Sequence, residues 1–118
     1  MEKRSLANEL AGTSAVVLED QIDLLNYRRD ASVCAAGDPA AAVLVSSADE
    51  IVRVVKAARE ADQPIYLRGA GSTYAGGANP TRGGVVIDVS PMNRIVEIDR
   101  ASFRQRTRYR WQRRYSCE

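Results

Sequence analysis

Residues 41–45, Ala-Ala-Val-Leu-Val, form a short apolar run bounded by Pro39 and by Ser46-Ser47, the pattern of a buried strand. The next segment changes period. Ile51, Val55 and Ala58 recur at i, i+4 and i+7, with Val52 and Val54 beside them, which predicts an amphipathic helix. Ser47 and Glu50 stand at capping-box spacing at its start. Asp49–Arg53 and Lys56–Glu60 are i, i+4 pairs, each contributing about 0.3 kcal/mol. The charges of this helix are expected to form a solvated face. Pro64 cannot continue the helix, and it disfavours helical geometry at Gln63. Ile65-Tyr66-Leu67 then reads as a second strand, so residues 41–68 make a βαβ unit with parallel strands and a right-handed crossover.

Residues 85–89 are a further apolar strand. Pro91-Met92-Asn93 makes a turn, and residues 94–98 alternate Ile95 and Glu97 against Val96 and Ile98. That alternation predicts a last strand, antiparallel to the one before it, with an exposed sheet edge near residues 85–98. Upstream, residues 5–10 are expected to form a short helix that Gly12 and Thr13 break. Ser14 is expected to cap a second helix over 16–25, with Val17, Ile22 and Leu25 on one face and Glu19, Asp20 and Asp23 outward. A loop follows from Arg28 to Pro39, and no internal repeat is visible.

A chain of 118 residues has room for one small domain with a modest core. It has no histidine, and Cys34 and Cys117 show no metal or redox spacing. A zinc site and a Ser-His or Cys-His catalytic pair are thereby excluded for this chain. Free thiols fit a reducing cytoplasm, and no apolar run approaches a membrane span. Charge is uneven. Residues 1–99 hold 10 Lys/Arg against 14 Asp/Glu, whereas residues 100–118 hold 7 Arg against 1 Glu, with Tyr109, Trp111 and Tyr115 interleaved. Such a tail suits RNA or single-stranded DNA binding, or is a solvated, disordered appendage.

The chemistry concentrates between Pro64 and Pro80. Four of the eight glycines lie from Gly69 to Gly77, directly after the Ile65–Leu67 strand. In Arg68-Gly69-Ala70-Gly71-Ser72-Thr73 a run of small residues uncovers successive amides, and nests of such amides bind anions. Ser72 and Thr73 add hydroxyl donors for phosphate oxygens. A Walker loop is ruled out by the missing lysine. A dinucleotide fingerprint is ruled out by Tyr74 at the third glycine position and by a following stretch too rich in Gly, Pro and Asn for a helix. The alternative is a long loop whose glycines serve turns alone.

Residues 42–99 resemble the N-terminal half of the FAD-binding domain of FAD-linked oxidases. The type is that of vanillyl-alcohol oxidase and p-cresol methylhydroxylase (PCMH), which includes glycolate oxidase FAD subunits and D-lactate dehydrogenases. The resemblance is carried by Val43-Leu44-Val45, Ser47-Ala48-Asp49-Glu50-Ile51-Val52, the stretch Pro64 to Thr73, Gly76-Gly77 and Gly84 to Ile95. Tyr27 with Asp30-Ala31-Ser32 is similar to an upstream segment that packs near the cofactor in the family.

The resemblance implies an α+β fold, half of a PCMH-type FAD-binding domain with a βαβ unit and a small mixed sheet. It implies FAD as cofactor, bound non-covalently because no histidine stands where some relatives attach it. Arg68, Gly69, Ala70, Gly71, Ser72 and Thr73 would hold the diphosphate, with Gly76 and Gly77 near the flavin. Arg68 would contribute charge or pair with a structural carboxylate such as Asp88. Complete relatives oxidise a 2-hydroxy acid such as glycolate or D-lactate, using a separate substrate domain, and some assemble with other subunits. The expected organisation is a partial FAD-binding domain over 1–99 and an Arg-rich tail over 100–118, the latter resembling an out-of-frame reading. Two other readings are a nucleic-acid-binding module acting through the tail and a ligand-free relic of an oxidase.

Overall fold

The computed structural model describes residues 6–107. Its longest element is helix α3 (Ala48–Glu60), and Ser47 Oγ caps it by accepting from the Glu50 amide at 3.3 Å. Glu50 does not return to Ser47 as a capping box requires. Its Oε2 accepts from Ser46 N at 2.7 Å and Ser46 Oγ at 3.2 Å, and its Oε1 accepts from Ser14 N at 3.0 Å and Ser14 Oγ at 2.7 Å. This turns the helix. The inward face is Glu50, Val54 and Ala58, with Ile51 partly buried, while Val52 and Val55 are exposed. The expected stripe through Val55 and the expectation that the helix charges are all solvated are both corrected by this one carboxylate.

Four strands form the main sheet: β1 (Val16–Leu18), β2 (Ala41–Leu44), β3 (Ile65–Arg68) and β4 (Val85–Asp88), in the order β1-β2-β4-β3. β4 runs parallel to both β2 and β3 and lies between them, so the β2–α3–β3 unit has parallel strands as expected. All four residues of β4 are buried, as an unbroken Val-Val-Ile-Asp run in a central strand requires. On one face Val43, Val45, Val85, Ile87 and Val89 pack with Val54, Ala58 and Leu10. On the other, Ala42 and Val86 pack with Leu24 and Tyr27, with Tyr66 and Leu44 alongside.

The N-terminal segment departs from its expected helix. α1 (Leu6–Glu9) is as short as predicted, but Val16–Leu18 pairs antiparallel with β2 as an edge strand. Two β-branched valines suit that pleated edge better than a helix. Ser14 binds Glu50 instead of capping, and the following helix α2 (Gln21–Leu24) is capped by Asp20, whose Oδ1 accepts from Ile22 N at 2.8 Å. Ile22 and Leu25 are exposed, and Leu24 and Tyr27 are the buried pair.

The last expected strand is also placed differently. β5 (Ile95–Asp99) pairs antiparallel with β6 (Arg104–Thr107) in a separate two-stranded sheet, not with β4. The sheet edges are therefore β1 and β3, and β4 is interior. Asp99 accepts from Ala101 N and Ser102 N, which closes the hairpin turn. The boundary drawn after residue 99 falls at this turn, so the first part of the Arg-rich segment pairs as a strand, with Glu97 and Asp99 opposite Arg106 and Arg104. Residues 108–118 of the tail lie outside the described residues.

Burial pushes the Glu50 carboxyl up, but hydrogen bonds from Ser46 and Ser14 outweigh it and leave its pKa below the ordinary 4.5. A depressed folded-state pKa stabilises the fold above the unfolded-state value, and that stability is lost as pH falls through the folded value. Thermal melts from pH 7 to pH 3 should show wild-type stability falling below about pH 4.5. Glu50→Ala should lose about 1–3 kcal/mol at pH 7 and show a weaker acid dependence. An unchanged acid limb in the variant would remove Glu50 from this role.

Candidate functional site

β3 and β4 end side by side, with Arg68 in register with Asp88 and Val89 N donating to Arg68 O at 2.9 Å. The glycine loop leaves the carboxyl end of β3, the side on which open parallel sheets bind ligands. A cleft of about 390 Å³ lies there, lined by Leu67, Gly69, Ala70, Gly71, Ser72, Thr73, Gly77 and Ala78. Among the described residues, the amides of Ala70, Gly71, Ser72 and Thr73 donate to no protein acceptor, and Ser72 Oγ has no protein partner. Thr73 Oγ1 accepts from Ala75 N at 3.3 Å, so it is partly engaged in the loop's own turn.

The loop is clasped by residues 27–37. Ala31 N donates to Gly71 O at 2.9 Å, and Asp30 N donates to Asn79 Oδ1 at 2.6 Å. Asn79 Nδ2 in turn donates to Ala35 O at 2.9 Å. Asn79 is almost fully buried, and it joins the far end of the loop to the upstream segment. The Asp30 carboxyl is 6% exposed, and its Oδ1 accepts from Ser32 N at 2.9 Å. Its Oδ2 has no partner at bonding geometry among the described residues. Hydrogen bonding to Ser32 holds its pKa below the usual carboxylate range against the opposing effect of burial, and the nearby Ala78 and Gly76 amides add to the lowering.

The site glycines have different neighbours. At Gly71, with φ +69°, a Cβ would overlap Arg68 Nη2 and stand 2.6 Å from Arg68 Cζ. At Gly76, with φ +74°, a Cβ would stand 2.7 Å from Cys34 Cβ. Both positions need glycine for the protein's own packing and backbone. Among the described residues, apart from its chain neighbours, a Cβ at Gly77 would meet no atom within 4 Å, and Gly77 borders the cleft. Its missing side chain leaves that space open.

Arg68 does not pair with Asp88. Asp88 Oδ2 accepts from the buried Tyr27 hydroxyl at 2.9 Å, and Asp88 Oδ1 accepts from Ser90 N at 2.8 Å. Arg68 Nη1 donates to Arg29 O at 2.8 Å, and its guanidinium lies 5.5 Å from the Tyr27 ring centre. Burial raises the Tyr27 pKa well above its ordinary value, and the Asp88 hydrogen bond adds to this. The phenol therefore stays a neutral donor at any working pH. The residues expected at the loop, Arg68 to Thr73, Gly76 and Gly77, come together at the end of β3; the resemblance placed the Tyr27 segment near the cofactor but not its bond to Asp88, and Asn79 was not singled out. Asn79 lies in the stretch read only as too rich in Gly, Pro and Asn for a helix, and no sequence signal marked its burial.

A mixed sheet with helices and a glycine loop at the carboxyl end of a parallel strand defines an α+β domain. The comparisons identify its family: the family described as "FAD binding domain" matches residues 39–107, and the chain belongs to it. FAD is thus the cofactor for which this family is built, as the resemblance implied. An uncharacterized FAD-linked oxidoreductase of Mycobacterium tuberculosis is 30% identical over 96 residues, 80% of this chain and 21% of that protein. Glycolate oxidase subunit GlcD of Bacillus subtilis is 39% identical over 75 residues, 64% of this chain and 16% of that protein. The solved structure of p-cresol methylhydroxylase superposes with a TM-score of 0.60 at 30% identity, over 82% of this chain and 19% of that one. The chain thus spans about a fifth of the length of such relatives. The cleft fits the cofactor's diphosphate: it has unpaired donors, small walls and open space at Gly77. Among the described residues no helix is long and apolar enough to cross a membrane.

Asn79→Ala should cost about 1–3 kcal/mol, because it leaves the amide of the buried Asp30 unpaired. Gly77→Ala should change stability by no more than about 0.5 kcal/mol, since its methyl meets no protein atom. Denaturant melts of both variants beside wild type check the pair. Equal losses would contradict the assignment of Asn79 to the clasp and Gly77 to the open cleft.

Proposed function

We propose that this chain is the diphosphate-holding part of an FAD-dependent oxidoreductase acting on a 2-hydroxy acid such as glycolate or D-lactate. The observation that carries the reading is the run of four consecutive unpaired amides, Ala70 to Thr73, bordering the cleft. Amides that the protein leaves facing solvent at one concave surface can donate to an acceptor with several oxygens, and a diphosphate has them. Ser72 Oγ adds a hydroxyl donor. Gly69 and Gly77 keep the walls low, Gly71 and Gly76 fix the loop's course, and Arg68 supplies positive charge. The similarity to GlcD supports the 2-hydroxy acid substrate class and an assembly with other subunits. A cytoplasmic setting goes with the exposed, free Cys34.

When bound, FAD supplies a two-electron acceptor for the hydride on the substrate's hydroxyl-bearing carbon. This chain's residues hold and orient the diphosphate. They provide no histidine for covalent attachment, so binding is non-covalent. Among the described residues the cleft is lined by Leu67, Gly69, Ala70, Gly71, Ser72, Thr73, Gly77 and Ala78, with no acid/base group. We therefore assign substrate binding and proton transfer to parts that the relatives carry beyond the matched fifth. The chain alone binds FAD weakly and turns over no substrate.

Titrations of FAD, ADP and riboflavin followed by calorimetry test this reading. FAD and ADP should compete for one site, and riboflavin, which has no diphosphate, should bind far more weakly. Gly77→Val should abolish FAD and ADP binding while the chain stays folded. Ser72→Ala should weaken binding by about 0.5–1.5 kcal/mol, the contribution of one neutral hydrogen bond. Riboflavin binding as tightly as FAD, or Gly77→Val binding FAD normally, would falsify the loop assignment.

A further inference from the structure

Arg68 belongs to the glycine loop in sequence, yet it does not line the cleft, whereas Gly69 to Thr73 do. Its guanidinium instead occupies the space that a Cβ at Gly71 would fill. Two contacts hold it there: the Nη1 bond to Arg29 O at 2.8 Å and the Tyr27 ring at 5.5 Å. Among the described residues no carboxylate forms an ion pair with it. Asp88, its register partner, is already taken by Tyr27 and by Ser90 N. The cation therefore has no carboxylate in direct contact among the described residues, and it stands against Gly71 of the loop.

We infer that Tyr27 is a positioning residue for the anion site: its ring fixes the Arg68 guanidinium against the back of Gly71, so that a positive charge stands behind the loop without touching the ligand. The inference rests on the diphosphate reading of the loop given above. The Tyr27 hydroxyl, anchored on Asp88, sets the ring's position and keeps Asp88 from capturing the arginine. The Arg68 side chain is only partly buried, so its charge is screened less than that of a free surface arginine. Charge placed in this way favours binding of phosphate groups and not of adenosine as such. A cation over an aromatic face gains only modestly, so the ring's role is to hold the guanidinium in one place.

The test measures ADP and adenosine affinities for the full chain and for Arg68→Gln, Arg68→Lys, Tyr27→Leu and Tyr27→Phe, each at low and moderate salt, with a thermal melt for every variant. Arg68→Gln should bind ADP about fivefold more weakly and with a shallower salt dependence. Its adenosine affinity should be unchanged. Arg68→Lys should recover part of the ADP affinity. Tyr27→Leu should fall toward Arg68→Gln and add little in the double variant, since both act on one charge. Tyr27→Phe keeps the ring and should bind ADP better than Tyr27→Leu even if it melts earlier. A folded Arg68→Gln with wild-type ADP affinity overturns the inference and leaves the loop reading intact. So does an equal loss of adenosine affinity, which would mean that the variant disturbs the fold. A wild-type chain that takes up no ADP overturns both.

Discussion

The glycine loop would have no fixed shape without the segment before β2. A run such as Gly-Ala-Gly-Ser-Thr has little side chain to pack and much backbone freedom to lose. Two bonds from residues 30–31 reach its two ends: Ala31 N to Gly71 O near the start, and Asp30 N to Asn79 Oδ1 past the end. Because these bonds use the carbonyl of Gly71 and leave the amides of Ala70 to Thr73 free, the clasp decides which polar groups remain for a ligand. The same segment carries Tyr27 and Arg29, which hold Arg68. One upstream stretch thus sets both the shape and the charge of the site.

The sheet makes that arrangement possible. With β4 between β2 and β3, even-numbered positions 66, 68, 86 and 88 share the face opposite α3. Asp88 in a fully buried strand needs a donor, and Tyr27 and Ser90 N supply two. That leaves Arg68, on the edge strand, to find its partners outside the sheet. Glu50 plays the comparable part on the other face. It is a buried carboxylate that joins the start of α3 to the strand-leading Ser14 and so ties the N-terminal segment to the core. In both cases a charged group with several donors around it locates one segment on another.

How much of this was legible in the sequence depended on how local the cause was. α3, β2, β3 and β4 follow from apolar runs, a serine cap and Pro64, all of which act within a few residues, and each was placed nearly to its ends. The loop and its small residues were legible for the same reason. The errors share a different origin. Val16–Leu18 is a strand because β2 offers an open edge, and β5 pairs with β6 because β4 is enclosed on both sides. Neither fact is written near the residues concerned. The turn of α3 toward Glu50 depends on Ser14, 36 positions away, which no helical period reports. The partners of Asn79 and Tyr27 were opaque likewise, since they lie 49 and 61 positions off.

The glycines show why motif and mechanism should be argued separately. A pattern of four glycines in nine residues invites the reading that each makes room for the ligand. Here Gly71 makes room for a guanidinium and Gly76 for Cys34, both groups of the protein itself, and their positive φ values would resist a side chain even without those neighbours. Gly77 is different, because nothing of the protein stands where its side chain would go. A glycine against protein is explained by folding alone. A glycine against open space, beside amides that no described acceptor uses, leaves room for another group, and the proposed diphosphate site rests on the cleft at Gly77 and the donors of Ala70 to Thr73. The case for an anion therefore stands on what the protein leaves unsatisfied, and it would stand unchanged if Gly71 and Gly76 were credited wholly to structure.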